Sequence, residues 1–124
     1  MKGSTFFKID IVNEEKKLHL RFIISDPDPD NYVLVVNATT FYNMGREDTS
    51  CILNNGDHKK ITHPSYIAYY KAEEVDITKL LNNKVKRKID FKDNISKEVL
   101  IIIQEGAKNT RLLPNRFKKY FQYF

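Results

Sequence analysis

Three histidines, His19, His58 and His63, are the residues of this chain whose chemistry operates near neutral pH. An imidazole titrates at about pH 6.5, so it can take or give a proton without a special environment. Asp57-His58 follows the turn signal Asn54-Asn55-Gly56, and His63-Pro64-Ser65 leads into a strand-like run. Two imidazoles flanking a phosphate suit RNA cleavage. One draws the proton from a ribose 2′-hydroxyl, the other protonates the departing oxygen, and a cation steadies the charged phosphorane. Arg21 is the candidate cation, because a guanidinium is always charged and grips phosphate oxygens with two donors. It shares a strand face with His19. Asn37-Ala38-Thr39-Thr40 ends another run in an amide and two hydroxyls, groups that can hydrogen-bond a phosphate or a base edge. The candidate catalytic residues are therefore His19, Arg21, Thr40, His58, His63 and Ser65. The candidate RNA-binding residues are Thr39, Lys59, Lys60, Tyr69, Arg111 and Arg116.

Each of these has a plainer reading beside it. A lone histidine is commonly a surface or hydrogen-bonded structural residue. Hydroxyls at a strand end can simply cap the turn. A zinc site is the chemical rival, built on His58 and His63 with Cys51 or Asp57. The spacing is too wide for one helical face, and no CxxC or HExxH motif accompanies it, so no metal and no cofactor is expected. GxGxxG, Walker and GxSxG motifs are absent.

These residues must be positioned by a chain of 124 residues, which has room for one domain, 1–124, with a core that needs no staples. A single cysteine, Cys51, rules out an internal disulfide, and its apolar run points to a buried, inert thiol. The first 20 residues carry Lys2 and no long apolar run, which predicts no signal peptide. No segment has the length of a membrane span, so the expected location is cytoplasmic. The net charge of +5 is localised. Residues 106–124 hold Lys108, Arg111, Arg116, Lys118 and Lys119 without one acid, and the remainder is balanced. Such a tail can meet a phosphate backbone or an acidic partner, or be a solvated helix face.

Periodicity predicts strands over residues 4–12, Leu18–Ser25, Tyr32–Thr40, Thr49–Leu53 and Ser65–Tyr70. A polar turn is expected at 13–17, and Pro27 and Pro29 mark a loop. Tyr32–Thr40 is apolar on both faces at its start, which predicts a central strand covered on both sides. Asp76 or Thr78 can cap a short helix over Ile77, Leu80 and Leu81, and Ser96 a longer one. Residues 82–94 read as a loop or edge ribbon, and Phe117, Tyr120, Phe121 and Phe124 form an apolar stripe in the last turns. The expected fold is mainly β (α+β): a small barrel of about five to six short antiparallel strands over 4–75, then a short helix and a helical, basic C-terminal part over 76–124.

The order Leu18-His-Leu-Arg-Phe-Ile-Ile-Ser25, Tyr32-Val-Leu-Val-Val-Asn-Ala-Thr-Thr40 and Ser65-Tyr-Ile-Ala-Tyr-Tyr70 resembles the PemK/MazF-like growth-inhibitor toxins, over residues 5–80. That resemblance implies an SH3-like barrel, a homodimer, a metal-independent endoribonuclease and silencing by a cognate antitoxin protein. The family's strand-end threonine falls on Thr39 or Thr40. The position of its arginine falls on His19, with Arg21 one step along the same face, and the usual Arg-Pro pair is missing. The expected function is thus a toxin-like endoribonuclease. The alternatives are a non-catalytic nucleic-acid- or protein-binding module and, more weakly, a metal-binding hydrolase.

Overall fold

Tyr32–Thr40 organises the sheet, as a run of β-branched and apolar residues should. In a computed structural model that describes residues 2–12, 15–85 and 89–124, the strands are β1 (Thr5–Val12), β2 (Glu15–Ile23), β3 (Tyr32–Thr40), β4 (Ile52–Leu53), β5 (Ser65–Ile67), β6 (Glu73–Asp76) and β7 (Ile89–Lys92). The helices are α1 (Ile77–Val85) and α2 (Lys97–Asn109), with 3-10 segments at Tyr69–Lys71 and Asn115–Tyr123. Asn13 and Glu14 of the expected polar turn, and residues 86–88 of the expected ribbon, lie outside the described residues.

All strand pairs are antiparallel, in the order β4-β5-β3-β2-β1-β7, with β6 also paired to β3. The strand β7 pairs with β1, so the sheet extends past the expected limit at residue 75. Among the described residues no ladder joins β4 to β7, and the sheet is open. Its two outer strands are nevertheless drawn together. The His58 ring, in the loop after β4, hydrogen-bonds the carbonyl of Asp93, just past β7.

Alternation along β3 splits its side chains between two cores. Val33 and Val35 pack with Phe6, Ile23, Ile77 and Leu80 beneath α1. Leu34 and Val36 pack with Phe22, Val99, Ile103 and Phe117 beneath α2 and the C-terminal segment. Both faces are covered, as the apolar start of the strand predicts. Ser96 caps α2 by accepting from Val99 N at 3.2 Å, and Asp76 accepts from Thr78 N at 2.8 Å at the start of α1. On α2 the buried stripe runs through Val99, Leu100, Ile103, Gly106 and Ala107, while Ile102 faces out. Gly106 permits the closest approach. A Cβ there would run into Tyr69 Oη and lie 2.9 Å from Cys51 Cβ.

Among the described residues no helix is long and apolar enough to cross a membrane.

Candidate functional site

The ladder between β2 and β3 runs from Ile23↔Val35 to Arg21↔Asn37 and goes no further. Beyond it β2 continues beside β1, with His19 opposite Lys8, and β3 continues beside β5, with Thr40 opposite Ser65. The two strands part at this point. A cleft of about 460 Å³ opens between them. Its walls are Phe7, His19 and Leu20 from β1 and β2, Ala38, Thr39 and Thr40 from β3, and Ser65 from β5. Lys60, Ile61 and His63 of the β4–β5 loop close one side, and Tyr42, 73% exposed, stands at the mouth.

The loop is fixed by bonds to the end of β3 and by others within itself. Thr40 Oγ1 lies 2.9 Å from His63 Nε2, and Thr62 Oγ1 lies 3.2 Å from Nδ1 of the same ring. Phe41 N donates to Pro64 O at 3.0 Å, and the Ser65 hydroxyl donates to His63 O at 3.2 Å. His63 is exposed and His19 half-buried, so both rings can meet a solute. Among the described residues no carboxylate lines the cleft, and Lys60 is its one permanently charged residue. A cavity of that composition favours anions.

Six sequence candidates therefore meet in one place: His19, Thr39, Thr40, Lys60, His63 and Ser65. The other six do not line this cleft. His58 is 6% exposed, and its ring packs edge-on against Phe22 at 6.5 Å. Its Nδ1 accepts from Lys60 N at 3.0 Å, so Nε2 carries the proton and donates to Asp93 O. Both nitrogens are committed, and the ring serves to fix the backbone at Lys60. Arg21 is 7% exposed and sits 3.7 Å from the Glu73 carboxylate, in register with Asn37. Tyr69 is fully buried in the core that also holds Ile67, and a 3-10 segment begins at it in place of the expected end of the strand. Its hydroxyl donates to Ile103 O at 2.6 Å, so it offers no surface to a base.

Lys59 is exposed and paired with Asp93 at 2.8 Å, in a neighbouring cleft. Arg111 follows α2, and Arg116 lies over the Phe117 ring at 4.4 Å. The C-terminal segment that holds Arg116 packs at the other end of β3. Tyr120 Oη donates to Glu74 at 2.7 Å, Lys119 pairs with Glu74 at 3.5 Å, and Asp26 N donates to Tyr123 O at 2.9 Å.

Two aromatic residues of the cleft were not among the candidates. Tyr42 follows Thr39-Thr40-Phe41 in a polar turn, and a large aromatic residue in such a turn is the available signal. Phe7 gives none, since it reads as one more apolar residue of an opening strand.

Among the described residues no three His, Cys, Asp or Glu side chains gather as a metal site. Cys51 is buried, and burial pushes its thiol up to about 11. Comparison with protein-family models, with curated proteins and with solved structures returns no match.

Proposed function

We propose that the chain is a metal-independent endoribonuclease of the toxin-like kind, with its site in the cleft between β2 and β3. The observation that carries this reading is that His19 and His63, 44 positions apart in the chain, line the same cleft with Lys60 and, among the described residues, no carboxylate. One imidazole takes the 2′-hydroxyl proton as O2′ attacks phosphorus. The other gives its proton to O5′ as the P–O5′ bond breaks, leaving a 2′,3′-cyclic phosphate and a 5′-hydroxyl. Lys60, in place of Arg21, steadies the extra negative charge on the phosphorane. Thr40 orients the His63 ring, and Tyr42 at the mouth offers a face on which a base can stack.

The reading extends to the resemblance in the sequence. The rolled, open sheet is taken as a divergent SH3-like barrel, and the chain as a cytoplasmic growth inhibitor silenced by a cognate antitoxin, with a homodimer as its working form. A non-catalytic RNA-binding module is the second reading. It is favoured by the bonds of His63 to Thr40 and Thr62, which already occupy both ring nitrogens.

Incubation of the purified chain with single-stranded RNA in EDTA separates the two. Cleavage with cyclic-phosphate ends, lost in His19→Ala and in His63→Ala but kept in Arg21→Lys, supports the nuclease. Tight binding with no product from the intact chain refutes it.

A further inference from the structure

We propose that the cleft beside the first is a phosphate subsite for the RNA strand flanking the cut, with Lys59 and Lys92 as its ligands; this rests on the RNA reading above. The second cleft has a volume of about 440 Å³ and is lined by His58, Lys59, Lys60, Phe91, Lys92 and Asp93. Lys60 lines both clefts, so they adjoin. A second link runs beside it. The Lys92 ammonium lies 5.9 Å from the centre of the Phe7 ring, and Phe7 lines the first cleft. A strand seated with one phosphate between His19 and His63 thus has a lysine-lined path to follow.

The charge in that path suits a phosphate chain. Three ammonium groups face one carboxylate of the lining. Lys59 pairs with Asp93 at 2.8 Å, both exposed, and the half-buried Lys92 pairs with the exposed Asp90 at 2.5 Å. Pairs with such an exposed carboxylate are weak, and a phosphate oxygen can take its place. The backbone beneath is fixed. His58 holds Lys60 N at 3.0 Å, and Ile61 N donates to His58 O at 2.9 Å, so Lys59 and Lys60 project from a rigid turn.

The test uses the full chain with probes whose 2′-hydroxyls are methylated to prevent cutting, and reads binding by fluorescence anisotropy. The probes are a labelled pentanucleotide and a labelled dinucleoside monophosphate, whose single phosphate fills only the first cleft. Adding Lys59→Gln and Lys92→Gln should weaken the pentanucleotide at least tenfold. It should also flatten its plot of log affinity against log salt by about 1.4, at about 0.7 for each phosphate that a lysine no longer neutralises. The dinucleoside monophosphate should bind as before. Equal losses for both probes, or none, would overturn the subsite. So would a loss that persists with Arg at both positions, since charge would not be its cause. An acidic peptide bound more tightly than RNA through the same lysines would overturn the choice of ligand. Cleavage of the unmethylated pentanucleotide is scored separately. If the methylated pentanucleotide is bound with this lysine dependence but the unmethylated one is never cut, the nuclease reading falls and the subsite stands. If the unmethylated one is cut equally well with and without the two lysines, the subsite falls and the nuclease stands.

Discussion

Thr40 Oγ1 lies 2.9 Å from His63 Nε2, which ties the last residue of β3 to the loop that brings the second imidazole to the cleft. The hydroxyl holds one ring orientation out of several that an exposed histidine would otherwise sample. Thr40→Val should therefore lower kcat about tenfold, the worth of about 1.4 kcal/mol in orientation, with little change in KM. Thr40→Ser should restore most of it. Steady-state kinetics on a short RNA checks this, and an unchanged kcat for the valine variant contradicts the orienting role.

His58 and His63 should respond oppositely to alanine. The buried His58 ring packs on Phe22 and bridges Lys60 N and Asp93 O, so its removal leaves a cavity and an unmatched carbonyl. We expect His58→Ala to lose about 2–4 kcal/mol of stability in urea denaturation. His63 is exposed, and His63→Ala should stay within about 0.5 kcal/mol of the parent while losing cleavage.

Gly106 should tolerate no side chain. An added methyl group would meet Tyr69 Oη, lie 2.9 Å from Cys51 Cβ and lie 3.0 Å from Ser50 O, where the backbone cannot yield easily. Gly106→Ala raises helix propensity yet should destabilise the chain by about 1–3 kcal/mol, because overpacking outweighs propensity. Thermal unfolding gives the sign directly.

Asp48 sets an acid limit. Burial pushes its carboxyl up, but hydrogen bonds from Ser50 and Thr110 outweigh burial and hold it below its ordinary value. A carboxyl lowered in the folded state binds fewer protons there than in the unfolded chain. Its contribution is therefore complete above the unfolded pKa of about 3.9 and is lost as pH falls through the folded one. Replacing Thr110 by Val should weaken that contribution at neutral pH and make the fall in stability below about pH 4 shallower. Equal pH profiles for the parent and the valine variant would contradict the assignment.

Some of this arrangement was legible in the residues. The two-faced apolar start of Tyr32–Thr40 announced a covered central strand, and Ser96 announced the start of α2. The short strand β6 was hidden, because Glu73-Glu74-Val75-Asp76 is three-quarters acidic and becomes a strand only through its pairing with β3. His58 looked as catalytic as His63. Its structural role depends on a carbonyl 35 residues away, which no local pattern reveals. The meeting of His19 with His63 was equally out of reach, since it follows from where β2 and β3 separate. Tyr69 was misplaced because residues 65–69 are buried on both faces, so the face it shares with Ile67 lies in the core and not at the surface.

That separation also leaves something no side-chain substitution can reach. Leu34 O accepts from Ile24 N on the β2 side of β3, while Asn37 O and Phe41 N bond toward the β5 side. By alternation the peptide N–H and C=O of Thr40 turn toward β2, two residues beyond the Ala38 amide that closes the last rung. The cleft thus has an amide and a carbonyl of the main chain in its wall. Whatever recognition they provide would survive an alanine scan intact, and would be found only by altering the chemistry of the ligand or of the backbone itself.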